Sequence, residues 1–337
     1  MTHWFTRLQA GIATLLLLGG IAQADCAGTN LFDPLATENP DALAEIRARA
    51  ARIPNGSGNF WRVERDGVAP SHILGTFHSP EVVPMIPDHV WQVLDQADAL
   101  ALEYPFKDVD AFAQQMLADP KLLYDEHQPP LDEVLSGKEF DLLLRVLADR
   151  GYGYFEVDGL RPWMLFFYLS SAPCEMAPGY DEKADLDLAI SNRAARLGIP
   201  EHGLEPIARV PSHFDVFTTD QLVRMFIEPE SLIGQVDNML WTSAVLYGRE
   251  QTAVADEWGE WVGRTHGVSA ETEALWVRLR KQLVDRRNLA WMENLESLLG
   301  QGNAFIAVGT GHLPGEVGLV RLLRERGWRL TRIPFAK

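Results

Sequence analysis

Two histidine-containing loops, one near each end of the chain, share a single short pattern. Residues 71–80 read SHILGTFHSP and residues 304–315 read AFIAVGTGHLPG, so both contain Gly-Thr-x-His-x-Pro. Each loop follows a short apolar run that is typical of a buried strand. Glycine lets the backbone turn sharply, and the histidine then projects as a metal ligand or general base. The repetition predicts that His78 and His312 build one site from both ends of the fold.

Carboxylates follow two further predicted strands. The run ALALEY, residues 99–104, reads as a short buried strand with Glu103 near its C-terminal end, and Glu205 ends another such run just before Pro206. Ligand sites in open α/β sheets lie at the carboxyl ends of the strands. We therefore expect both glutamates to lie near the histidine loops.

These residue types are compatible with two chemistries. Two histidines and a carboxylate form a ligand set for a divalent metal ion that keeps a position open for water, which assigns His78, His312 and Glu103 to the metal. The same three residues could instead carry out acid–base hydrolysis without a metal. Glu205 could supply a further ligand or the general base.

Other charged residues have a functional and a structural interpretation. Three arginines could clamp a carboxylate or stabilise an oxyanion, or could lie on solvated helix faces: Arg161, Arg286 and Arg287. Three aspartates at the start of a helix predicted over residues 179–198 are interpreted as helix caps that offset the helix dipole: Asp181, Asp185 and Asp187. The chain has no Gly-x-Ser-x-Gly, His-Glu-x-x-His, Walker or Gly-x-Gly-x-x-Gly motif, which excludes the common enzymes that those motifs mark.

The hydrophobic pattern predicts an α/β fold with a central mixed β-sheet flanked by helices. Residues 60–64 and 72–75 read as the strands of a hairpin around a turn at residues 65–67. Residues 108–171 carry apolar side chains at helical spacing, which indicates a helical insertion or lid between the two histidine loops. Without an evident linker, residues 25–337 are expected to form one domain.

The N-terminal segment has the features of a secretory signal peptide. Arg7 is followed by an apolar run over residues 10–22, and Ala22-Gln23-Ala24 forms a small-x-small cleavage site. This pattern predicts cleavage after Ala24, so that residues 1–24 are removed and the protein is periplasmic or secreted without a stable membrane anchor. An uncleaved anchor is the alternative.

The cysteine count and the net charge limit the compartment and the partners. Export makes a disulfide between Cys26 and Cys174 the expected state of the only two cysteines, with two free thiols as the alternative. The formal net charge of −17 provides no basic surplus for phosphate contacts, so a nucleic-acid partner is not expected.

The motifs together resemble those of the TraB/GumN family, which includes the Tiki proteases. The similarity rests on GTFH, GTGH and ALALEY, and on further segments along the chain: CAGTNL, FWRVERDG, PWMLFFYL, GYDEKADLD, GLEP, RRN and the closing block of residues 304–330. The segment PIARVPSH after Glu205 departs from the more acidic, glutamine-containing continuation of the family.

The resemblance implies a fold like that of Tiki and the erythromycin esterases, in which two histidine loops and a glutamate meet in one cleft. It implies metal-dependent proteolysis supported by manganese or cobalt, and zinc suits the same ligands. By motif match, His78, His312 and Glu103 form the core of the site, with Glu205 and Arg287 as supporting residues.

The expected function is therefore that of an exported metal-dependent hydrolase that cleaves a peptide or amide bond. A metal-independent, esterase-like hydrolase is one alternative. The haem-binding ChaN-like relatives and the pheromone-shutdown members of the family provide another, a protein that binds haem or a peptide without turnover. The substrate is a peptide or a small molecule, and the sequence does not indicate which. It also does not indicate the oligomeric state.

Overall fold

The structure is a computed structural model that describes residues 26–180 and 182–336. The predicted signal peptide and Asp181 lie outside these residues. The described chain contains six strands: β1 (Phe60–Glu64), β2 (Ser71–Thr76), β3 (Ala99–Leu102), β4 (Glu201–Gly203), β5 (Ala304–Gly309) and β6 (Arg329–Arg332).

The helices surround this sheet. In chain order they are α1 (Leu35–Glu38), α2 (Pro40–Ala50), α3 (Asp88–Asp95), α4 (Phe106–Ala118), α5 (Leu131–Val134), α6 (Gly137–Asp149), α7 (Pro162–Ser170), α8 (Leu186–Leu197), α9 (Thr219–Ile227), α10 (Val236–Gly248), α11 (Thr252–His266), α12 (Ala270–Arg280), α13 (Arg286–Gln301) and α14 (Leu319–Glu325). A π-helical segment, Lys281–Asp285, joins α12 to α13, and 3-10 turns occupy Pro80–Met85, Ile207–Phe214 and Thr310–His312.

The sheet is mixed, as predicted. Its strand order is β4-β3-β5-β2-β1-β6. Strands β4, β3, β5 and β2 run parallel, whereas β1 is antiparallel to both β2 and β6. The predicted hairpin is confirmed, since Trp61 of β1 pairs with Ile73 of β2.

The topology brings the predicted site residues to one edge of the sheet. Because β2, β5 and β3 are parallel neighbours, their carboxyl ends meet at the same edge. His78 follows β2, Glu103 follows β3 directly, and His312 ends the 3-10 turn after β5. Strand β5, which comes after β2 and β3 in the chain, lies between them in the sheet.

Both faces of the sheet are buried. Successive strand residues point to opposite faces, so Ile73 and Ile306 pack with Trp291 of α13 on one side. Leu74 and Phe305 pack on the other side, against α3 and α8. Away from the sheet, α5, α6, α7 and α9 form their own apolar cluster through side chains such as those of Leu143, Leu147, Leu165 and Val223.

Two helix starts differ from the pattern-based expectation. Helix α8 begins at Leu186 rather than near residue 179, because the Asp185 side chain accepts a hydrogen bond from the Leu188 N–H and caps the first turn. The helix predicted over residues 316–326 is α14, which begins at Leu319, since the chain first makes a tight turn in which a Cβ at Gly318 would collide with the Leu313 carbonyl oxygen.

The expected disulfide is present. Cys26 and Cys174 are bonded, with an S–S distance of 2.06 Å, and join the start of the described chain to the segment before α8. Within the described residues, none of the helices has the length and apolar character needed to cross a membrane.

Candidate functional site

The glycine of the first histidine loop is required by the approach of the second loop. A Cβ at Gly75 would lie 2.8 Å from Leu313 Cδ1 and 2.9 Å from Thr310 Cα, which is closer than real Cβ contacts. The hydroxyl of Thr310 in turn lies 3.1 Å from Asn59 Oδ1. The two loops therefore pack closely against each other. The contact between Thr310 and Asn59 lies beside them.

The glycine of the second loop leaves space at the centre of the site. The position that a Cβ at Gly309 would occupy lies 3.3 Å from Glu103 Oε1, 3.6 Å from His312 Cδ2 and 3.8 Å from His78 Nε2. The three residues that the sequence assigned to one metal site thus surround one small volume, which we call the Gly309 space.

A buried aspartate holds His78. The Nδ1 atom of His78 lies 2.9 Å from Asp187 Oδ2, and the Thr76 hydroxyl donates to the other oxygen of Asp187 at 2.8 Å. The His78 side chain is 63% exposed, whereas that of Asp187 is 10% exposed. The negative charge of Asp187 raises the pKa of His78. Because Nδ1 is engaged, Nε2 is the nitrogen left to face the Gly309 space.

An asparagine determines which nitrogen of His312 carries the proton. The amide nitrogen of Asn288 donates to the carbonyl oxygens of His312 and Val317, at 3.1 and 2.8 Å. Its oxygen must therefore face His312 Nδ1, which lies 2.6 Å away and donates to it. Burial lowers the pKa of His312 to about 4, so the ring is neutral at neutral pH with a lone pair on Nε2.

That lone pair faces a carboxylate. His312 Nε2 lies 3.5 Å from Glu103 Oε1, which also accepts the Gly309 N–H at 2.9 Å. Burial alone would raise the pKa of Glu103, but the positive charge of Arg287, with that of protonated His78, lowers it below its ordinary value. Glu103 is therefore ionised, and two acceptors face each other across a gap that a cation or a proton can bridge.

Arg287 joins the two glutamates. Its Nη2 donates to Glu103 Oε2 at 2.6 Å and its Nε donates to Glu205 Oε1 at 2.5 Å. The guanidinium also lies over the ring of Trp291, 4.6 Å from the ring centroid. Glu205 Oε2 is 3.3 Å from His213 Nε2. Glu205 thus contacts Arg287 and His213, and reaches Glu103 through Arg287.

The comparisons with known proteins identify a family. A model of the TraB/PrgY/gumN family matches residues 59–332. The chain belongs to the TraB/PrgY/gumN family. Searches of curated proteins and of solved structures found no match. The matched region contains both histidine loops, both glutamates and Arg287.

The other two candidate arginines lie elsewhere in this TraB/PrgY/gumN protein. Arg161 donates from Nε to the Lys121 carbonyl oxygen at 2.6 Å, and Arg286 donates to Gln282 Oε1 at 2.9 Å. Arg287 differs from its neighbour because consecutive residues of a helix point about 100° apart, so Arg287 is buried against the glutamates while Arg286 is exposed.

Asp187 and Asn288 are site residues of this family member that sequence reasoning missed. Asp185 acts as the cap that was expected, but Asp187 turns toward His78 instead. Their spacing offered a signal, since a residue two positions after a cap lies in the first helical turn. Asn288 stands in the RRN segment, where only the two arginines were considered for a role.

The same aspartates create a second possible ion site. Ligand atoms of His78, Asp185 and Asp187 all lie within 4.8 Å of one another, so this group could hold a metal ion. Asp185 already accepts the Leu188 N–H, and both oxygens of Asp187 already accept hydrogen bonds. Within the described residues, the ligand atoms of this group lie close enough together to share an ion, whereas those of His78, Glu103 and His312 lie farther apart.

Proposed function

We propose that this protein is an exported metal-dependent hydrolase that cleaves a peptide or amide bond in the cleft above Gly309. The observation that carries the proposal is the convergence of His78, His312 and Glu103 on the Gly309 space, with Nδ1 of each histidine engaged by an oxygen acceptor. Because the sequence resembles the Tiki proteases, we also propose that the chain shares their arrangement of the fold.

The donor set fits a divalent ion. Two imidazoles and a carboxylate suit manganese, cobalt or zinc, and here His78 and His312 would bind through Nε2 and Glu103 through Oε1. Asp187 and Asn288 orient the two rings, as hydrogen-bond partners of metal-bound histidines do. When bound, such an ion polarises a carbonyl and lowers the pKa of its water.

The remaining residues of the site are proposed to keep the glutamates ionised and to accept a proton. Arg287 keeps Glu103 and Glu205 ionised and fixes their oxygens. Attack by water requires a proton acceptor, and a glutamate, Glu103 or Glu205, is proposed for that role. Glu103 lies at the Gly309 space, whereas Arg287 stands between that space and Glu205.

A metal-free hydrolase is the second candidate, and the His78–Asp187 pair favours it. An imidazole held at Nδ1 by a buried carboxylate is also the arrangement that orients a histidine for acid–base catalysis at Nε2. In that case Glu103 and His78 would act on water directly, as the sequence alternative states.

Metal analysis and peptide hydrolysis separate these candidates. We expect the purified protein to bind one divalent ion and to lose peptidase activity with a chelator, with His78→Ala and with His312→Ala. Asp185→Asn, which keeps a good helix cap, should retain the ion if it lies in the Gly309 space and release it if it lies between the aspartates. A folded protein that binds no divalent ion contradicts the metal-dependent form, and chelator-resistant hydrolysis supports the second candidate.

Export is proposed from the signal-like N-terminus and is supported by the disulfide. N-terminal sequencing of protein recovered outside the cytoplasm tests it. A chain that starts at Asp25 is the expected result, and a retained N-terminal segment would favour the uncleaved anchor.

A further inference from the structure

Glu81, three residues after His78, accepts hydrogen bonds from three separate parts of the chain. Its Oε1 accepts the backbone N–H of Cys26 at 3.0 Å. Its Oε2 accepts the hydroxyls of Ser79 at 2.6 Å and Tyr180 at 3.0 Å. No role in catalysis or metal binding falls on these residues.

Each of the three hydrogen-bond donors is connected along the chain or through the disulfide to a part of the candidate site. Ser79, with 1% of its surface exposed, is the residue after His78. Tyr180 precedes the start of α8, which carries Asp187. Cys26 is bonded to Cys174 and so links the same carboxylate to the segment before Tyr180. Glu81 thus connects the loop of His78, the approach to Asp187 and the disulfide.

His78 itself has little packing to hold it. Its side chain is 63% exposed, and its contact with Asp187 joins two elements that are far apart in sequence. The Thr76 hydroxyl also holds Asp187, and the separation of the two loops that carry this pair depends further on contacts behind them, where Glu81 lies.

We propose that Glu81 is a positioning residue for the His78–Asp187 pair, and that the Cys26–Cys174 disulfide acts on the site through Glu81. The effect on catalysis rests on the proposed function, but the effect on the geometry of the pair does not. A charge change is not needed for this role, since a glutamine can accept the Cys26 N–H and donate to the two hydroxyls.

The first readout is the titration of the His78 ring in the metal-free protein, followed by NMR and assigned with His78→Ala. Because Asp187 raises the pKa of His78, loss of their alignment lowers it. We expect Glu81→Ala to lower that pKa by about one unit or more, and Glu81→Gln to restore it. Tyr180→Phe, which removes one donor only, should give a smaller fall and carries the test if Glu81→Ala does not fold.

The second readout is affinity for Mn²⁺. We expect Glu81→Ala to weaken binding by about tenfold or more, as changes behind metal-bound histidines do. If the wild-type protein binds no Mn²⁺, the proposed function fails, while the His78 titration still decides the positioning role.

Asp33→Asn is the matched control. Asp33 lies in the same N-terminal segment as Cys26 but accepts hydrogen bonds from Arg249, at 2.6 and 2.7 Å, and from Asn30 at 2.9 Å, away from the His78 loop. This variant should leave the His78 titration unchanged. An unchanged His78 pKa in Glu81→Ala, or equal loss in Glu81→Gln and Glu81→Ala, overturns the positioning role.

A double-mutant cycle tests the route from the disulfide. Cys26→Ser with Cys174→Ser should lower the His78 pKa in the wild-type background and have little further effect in Glu81→Ala, because both changes break one connection. Strictly additive shifts would show that the disulfide does not act through Glu81.

Discussion

The side-chain oxygen of Asn288 lies 2.6 Å from His312 Nδ1, and this contact leaves Nε2 as the nitrogen that faces Glu103. The assignment of the proton to His312 Nδ1 does not depend on a bound ion, because the amide nitrogen of Asn288 already donates to two carbonyl oxygens. The site is thus prepared by residues that would not touch a metal.

Asn288→Ala should weaken divalent metal binding by about 10- to 100-fold, since His312 loses the partner that orients its ring. Isothermal titration with Mn²⁺ measures the change. Asn294→Ala is the matched control, because Asn294 lies on the same helix and donates to the Leu204 carbonyl oxygen at 2.8 Å without contacting a histidine. Equal effects of the two variants would contradict the role given to Asn288.

Gly309→Ala should block the site without unfolding the protein. The backbone at Gly309, with φ −49° and ψ 135°, suits alanine, but the new methyl group would occupy the Gly309 space. We expect hydrolysis to fall by about 100-fold or more, given the sensitivity of catalysis to small displacements. Gly311→Ala, which meets no atom within 4 Å, should retain activity. Full activity in Gly309→Ala would place the chemistry elsewhere.

Arg287→Met should destabilise the fold by about 3–5 kcal/mol at neutral pH, because it leaves two buried carboxylates unpaired. Arg286→Met removes an exposed neighbour and should cost little. Urea unfolding of both variants measures the difference.

The pH dependence of stability should also reverse in Arg287→Met. In the wild type the pKa values of Glu103 and Glu205 are lowered in the folded state, so their stabilisation is present above the unfolded values and is lost as pH falls through the folded ones. Without Arg287 the folded values rise above the unfolded ones, and acidification to about pH 5 should regain stability by neutralising the carboxylates. Continued loss on acidification would contradict this account.

Metal affinity should rise with pH. Asp187 raises the pKa of His78, so at neutral pH an ion must displace a proton from that ring. With one proton displaced per ion, affinity for Mn²⁺ should increase about tenfold per pH unit until the pKa of His78 is reached. Asp187→Asn should lower that pKa and flatten the profile. An affinity that stays constant from about pH 6 to about pH 8 would argue against His78 as a ligand.

The strands, the two loops and the meeting of His78, Glu103 and His312 could be anticipated because strand ends leave local signals. Asp187 and Asn288 could not, since each acquires its role by contacting a residue distant in sequence. Arg287 is distinguished from Arg286 only by its match to the family motif, because the helical pattern does not show which of the two faces the glutamates. The start of α8 was misplaced because capping by Asp185 outweighs the helical composition before it.

The position of β5 between β2 and β3 has a consequence for biosynthesis. A chain that is still being made from its N-terminus contains His78 and Glu103 long before residues 304–312 exist. Until β5 inserts, no strand of the described sheet joins the β1–β2 pair to the β3–β4 pair. In a nascent chain His78 and Glu103 therefore lack His312, and the candidate site is complete only when synthesis is nearly finished.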